Sequence, residues 1–168
     1  DFSTFWSESD YYAQAYTDNP LTAEKIALVE SVLGYQLPAS YIELMSNRNG
    51  GAPINGCLPT QESTTWAEDH VAITALYSIG NSKRYSLLGD LGSQFMIEHW
   101  QYPRLGIYIA TCPSAGHDMI ALDYRACGNQ GEPSVVHVDQ EADYRITQLA
   151  PNFEAFIRAL EPEDKYLY

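Results

Sequence analysis

Four apolar or alternating runs follow one another between His70 and Gln140: HVAITALYSI, LGIYIATC, DMIALDY and SVVHVDQ. Each has the length and period of a strand, and only a helical turn between Ser86 and Trp100 is expected to interrupt them. Helical patterns stand before this block and one stands after it. Helices first, strands together, one helix last predicts an α+β fold: N-terminal helices, a mainly antiparallel β-sheet and a C-terminal helix. It is not the strand–helix alternation of a nucleotide-binding fold.

The helices can be placed by their punctuation. The aromatic segment from Phe2 to about Tyr16 reads as a helix ended by the TDNP turn. Thr22 suits an N-cap, Ile26, Val29 and Leu33 recur at helical spacing, and Gly34 sits where a left-handed C-terminal cap belongs. Pro38 opens a short helix with Tyr41, Leu44 and Met45 on its buried stripe, and NRNGG stops it. From Ala52 to Trp66 the reading is loop with one short strand. In PNFEAFIRAL, Phe153, Phe156, Ile157 and Leu160 fall at i, i+3, i+4 and i+7, the cleanest amphipathic helix of the chain.

The 168 residues fit one domain, 1–168, and no internal repeat or linker divides them. No apolar run approaches the roughly 20 residues that cross a bilayer. The opening DFSTFWSESDYY lacks the basic and apolar regions of a signal peptide. Cys57, Cys112 and Cys127 are odd in number and far apart, against a disulfide framework or a thiolate zinc site, and they predict reduced thiols in a cytoplasm. Asp and Glu number 22 against 9 Lys and Arg, a net −13. Nucleic acid and anionic membranes call for a basic footprint, so neither is an expected partner. The acidity is read in two ways: as plain solubility, or as a surface that steers a basic partner.

ESVLGYQLPASY supplies Glu30, Leu33, Gly34, Leu37, Pro38 and Tyr41, and Asn49-Gly50-Gly51 follows. Later come Gly116, Asp118, Ile120, Leu122, Asp123 and Tyr124, then SVVHVDQE and a closing helix with Phe153, Phe156 and Leu160. In this order and spacing the chain resembles the Smi/Knr family of the SUKH superfamily, from about Leu21 to Leu160, with Gly51 to Tyr102 the least alike. The resemblance implies an α+β fold and no catalytic motif. Bacterial members resemble immunity proteins that neutralise toxins of neighbouring cells; fungal members resemble scaffolds in cell-wall signalling.

PSAGHDMIALDYRACGNQGEPSVVHVDQE crowds His117, Asp118, Asp123, His137 and Asp139 together. Successive strand side chains alternate between faces. With Ile120 and Leu122 inward, Asp118 enters the core at the strand's start and is expected to accept backbone N–H groups from the SAGH loop. With Val136 and Val138 inward, His137 and Asp139 fall outward, where they converge with His117 and Asp123. That face suits partner contact; zinc binding and acid–base chemistry are the other readings. Trp100, Tyr102 and Arg104 in EHWQYPRLG form an aromatic–arginine group of the kind found at interface hot spots, with core packing of Trp100 as the plain alternative.

The expected function is a non-enzymatic binding module, an immunity protein for a basic toxin domain, in the cytoplasm and without cofactor. A regulatory scaffold is the alternative, and a metal-dependent hydrolase the outside one. No catalytic or metal residue is assigned.

Overall fold

The computed structural model describes residues 1–166. Three helices lead, α1 (Asp10–Tyr16), α2 (Ala23–Leu33) and α3 (Ala39–Asn47), followed by the short strands β1 (Cys57–Pro59), β2 (His70–Ala72) and β3 (Ala75–Leu76). Helix α4 (Ser93–Glu98) precedes the long strands β4 (Gly106–Thr111), β5 (Asp118–Asp123), β6 (Ser134–Asp139) and β7 (Arg145–Ala150), and α5 (Phe153–Ala159) follows. Strands β3 to β7 form one antiparallel sheet in chain order, while β1 and β2 pair separately. The α+β reading holds.

Local chemistry sets the helix ends. Thr22 Oγ1 accepts from Lys25 N at 3.2 Å, and Gly34 takes the left-handed C-cap conformation at φ 82°. Between α2 and α3, Glu30 Oε2 accepts from Leu37 N at 2.8 Å, which fixes the turn and drives Leu37 inward. Tyr41, Leu44 and Met45 are buried as expected, and the Tyr41 ring meets Phe153 of α5 edge-on at 5.0 Å. The Tyr41 hydroxyl donates to the Tyr77 carbonyl in the core. Tyr41→Phe leaves that carbonyl without its donor and should lower stability by about 1–2 kcal/mol, read from urea unfolding.

Asn49-Gly50-Gly51 is a clip between the helices and the sheet. The Asn49 side chain donates to Ile79 O at 3.0 Å and accepts from Ile79 N at 2.8 Å, as a neighbouring strand would. Gly51 exchanges both backbone bonds with Leu76 of β3. Gly50 between them has φ 98° and lies so close to Tyr16 that a Cβ would stand 2.5 Å from its carbonyl oxygen.

The N-terminal segment departs from expectation. Helix α1 begins only at Asp10, and residues 2–7 form an aromatic strap. Ser7 N donates to Ala52 O and Ile54 N to Phe5 O, both at 2.8 Å, and the buried Trp6 indole donates to Asn47 Oδ1. Tertiary pairing with residues 52–54 takes the backbone bonds that a local helix would have used.

Strands β4, β5 and β6 are buried along almost their whole length, so neither face of the sheet centre meets water. Helix α5 packs against β6, β7, β1 and α3, and α4 against β4. No helix of the described residues is long and apolar enough to cross a membrane.

Candidate functional site

Register decides which of the His and Asp residues share a face. Asp118 stands opposite Asp139 and Ile120 opposite His137, and directly opposed residues point the same way. His137 and Asp139 therefore lie on the Asp118–Ile120–Leu122 face, away from that of Asp123. The expectation of an outward His137 and Asp139 is overturned: both are buried, at 0% and 1% exposure. Polarity misled there because partners distant in sequence satisfy these groups inside. His137 Nε2 donates to Asp118 Oδ2 at 2.8 Å. Asp139 accepts from Thr65 N at 2.9 Å and Trp66 Nε1 at 3.2 Å, both on the loop joining β1 to β2.

Contrary to expectation, the Asp118 carboxylate does not fix the SAGH loop. Ser114 Oγ does so, accepting from the backbone N–H of His117 and of Asp118 at 3.0 Å each. Cys112, just past β4, completes the buried group: Cys112, Asp118 and His137 each bring a donor atom within 4.8 Å of the others. Burial first, and the Asp118 carboxylate beside it, push the Cys112 thiol well above its ordinary range. Without a cation beside it, that favours the thiol form, a poor nucleophile.

Above this buried group, at the same end of the sheet, three loops build a half-exposed rim. The Trp100 ring meets His117 edge-on at 4.9 Å, and Gly116, at φ 98°, allows it in: a Cβ there would stand 2.9 Å from Trp100 Cζ2. Tyr144 Oη donates to the Trp100 carbonyl, and Tyr102 Oη donates to Gly116 O at 2.6 Å. The His117 Nδ1–H is shared between Gln140 Oε1 at 2.9 Å and Glu141 Oε1 at 2.8 Å. All four non-glycine residues with positive φ among the described residues, namely Gln101, Ala115, Asp143 and Tyr144, belong to these three loops. Such conformations cost energy and persist only where the surroundings impose them.

The structure thus joins Trp100, Tyr102 and His117 and separates them from the rest of the expected contact set. Tyr102 is buried and acts as a pillar, its ring against Tyr108 and Tyr144. Asp123 sits at the opposite end of β5, about 17 Å away at the usual strand rise, in a two-point bond with Arg125 that holds its carboxyl below its ordinary value against the opposing effect of burial. Arg104 is exposed and precedes Gly106, the register partner of Asp123, so it belongs to that end too. Tyr144, Gln140 and Glu141 went unmarked in the sequence; only the left-handed tolerance of Asp143 hinted at the turn that carries Tyr144.

A pocket of about 300 Å³ opens elsewhere, between the N-terminal strap, α3 and α5. Phe2, Phe5, Leu44 and Ile157 line it with Glu43 and Arg158, and it contains neither His nor Cys. The concave volume and the His–Asp–Cys chemistry do not coincide.

The helix–sheet–helix order and the Asn-Gly-Gly clip stand within a family match. The SUKH_6 family model, described as SMI1-KNR4 cell-wall, matches residues 23–157. The chain belongs to this family. The match spans α2 through most of α5, including the sheet and the Trp100–His117 rim of this SUKH protein. Comparison with curated proteins and with solved structures gives no significant match.

Proposed function

We propose that this SUKH protein is a non-enzymatic protein-binding module, an immunity protein that neutralises a basic toxin domain in the cytoplasm by occluding it. The observation that carries the reading is a net charge of −13 on a chain of this family, with acids gathered around a half-exposed aromatic. Glu98, Glu141 and Asp143 are exposed on the segments that frame Trp100, and the nearest basic residues in sequence, Arg104 and Arg145, stand at the far ends of those segments, where β4 and β7 begin. An aromatic ringed by acids suits a cationic surface: the charges speed encounter and the ring, once buried, slows release.

The rim, not the outer sheet face once expected to unite Asp123, His137 and Asp139, is the contact surface of this reading. Arg104 and Asp123 lie outside it. The family is described after cell-wall regulators, which supports a second reading, a regulatory scaffold with a protein partner.

Stopped-flow association with the toxin domain tests the first reading. The association rate constant should fall about tenfold or more from low to physiological salt, with the dissociation rate nearly unchanged. A rate indifferent to salt would remove charge steering from the account.

A further inference from the structure

The Cys112–Asp118–His137 group carries more than the binding reading uses. Two of its polar atoms, Asp118 Oδ1 and His137 Nδ1, are buried without a hydrogen-bond partner, although buried polar atoms of native proteins are partnered almost without exception. The charges are also one-sided. Asp118 and Asp139 oppose each other directly across β5 and β6, both buried, an arrangement that repels. Arg145, the register partner of Asp139, is exposed and ion-paired with Glu62 at 3.3 Å. Asp139 itself is held by Thr65 and Trp66, so it offers Asp118 no donor.

We propose that Cys112, Asp118 and His137 form a structural site for a soft divalent cation of the zinc class, which ties β4, β5 and β6 together beneath the Trp100–His117 rim. Sulfur, imidazole nitrogen and one carboxylate oxygen are a zinc-type donor set rather than the all-oxygen set of calcium or magnesium. The donors come from β5, β6 and the residue just past β4, all buried, within 4.8 Å of one another. Zinc bond lengths place tetrahedral donors about 3.3–3.8 Å apart. Binding therefore draws the sulfur in by about 1 Å and opens the 2.8 Å Asp118–His137 contact by about 0.5 Å. Water takes the fourth position. The divalent charge offsets the two opposed carboxylates, and buried charges of this kind are either paired or metal-bound. Because the donors are enclosed, the ion enters as the chain folds.

The test is to unfold the untagged full chain and refold it with one equivalent of cobalt(II), which substitutes for zinc and reports sulfur ligation by absorption. The wild type should show a thiolate-to-cobalt charge-transfer band at one ion per chain, displaced by zinc. The band should vanish in Cys112→Ser and persist in the double variant Cys57→Ser/Cys127→Ser, which keeps Cys112 as its one thiol. A folded wild type without the band overturns the proposal. So does a band that survives Cys112→Ser, or one lost from a folded double variant.

Discussion

Gly50→Ala is expected to remove about 3–5 kcal/mol of folding stability, near the upper end of what a single substitution does. Two costs coincide. The backbone stands at φ 98°, where a residue with a side chain pays about 1–3 kcal/mol of strain. The new methyl would also lie 2.5 Å from Tyr16 O and 2.9 Å from Ser78 Cβ, so α1 and the segment after β3 would have to part. That seam is where the helices meet the sheet, held by Asn49 on Ile79 and Gly51 on Leu76. A domain of this size is stable by about 5–15 kcal/mol, so the variant should melt far below the wild type or fail to accumulate. Gly34→Ala is the control. Gly34 is also left-handed, but nothing lies within 4 Å of its added Cβ, and its cost should stay near 1 kcal/mol. Urea unfolding of both variants checks the contrast; equal losses would mean that φ alone, not the close approach, governs Gly50.

His137→Leu should cost about 3–5 kcal/mol, because it strands a buried Asp118 carboxylate without its donor. Removing both ends of the pair, as in Asp118→Leu/His137→Leu, should cost clearly less than the two single losses added together. A buried pair replaced by apolar groups no longer leaves a charge unpaired. The coupling energy of the cycle should reach about 2 kcal/mol, measured by urea unfolding in metal-free buffer. Additive losses would show that the 2.8 Å contact does not bind the two residues energetically.

Much of the fold was legible because its punctuation is local. Thr22 and Gly34 bracket α2, Pro38 opens α3, and the Phe153, Phe156 and Leu160 stripe of α5 is buried against the sheet. Each of these signals acts within a turn or two of chain. What failed depended on partners distant in sequence. The strap at residues 2–7 looked helical because its aromatics did not reveal Ala52 and Ile54 as hydrogen-bond partners. Strand parity correctly split His117 from Asp118, yet it sent His137 and Asp139 outward. Alternation marks an outer face only where a sheet has one, and here Thr65 and Trp66, more than seventy residues upstream, cover Asp139. The Trp100–His117 rim was legible only as separate pieces, since left-handed backbone at Gln101, Ala115, Asp143 and Tyr144 comes from tertiary constraint rather than residue type.

The claim that a basic protein docks on the acid-framed Trp100–His117 rim is tested most directly by comparative capture. Full-length wild type and Trp100→Ala, each shown to be folded, are used to retain partners from a native lysate, which are identified by mass spectrometry. The account predicts that the wild type holds a strongly basic toxin domain and that Trp100→Ala loses it, as a hot-spot truncation costing about 2 kcal/mol or more would. A partner without a basic surplus, or a basic one retained equally by both proteins, would contradict it.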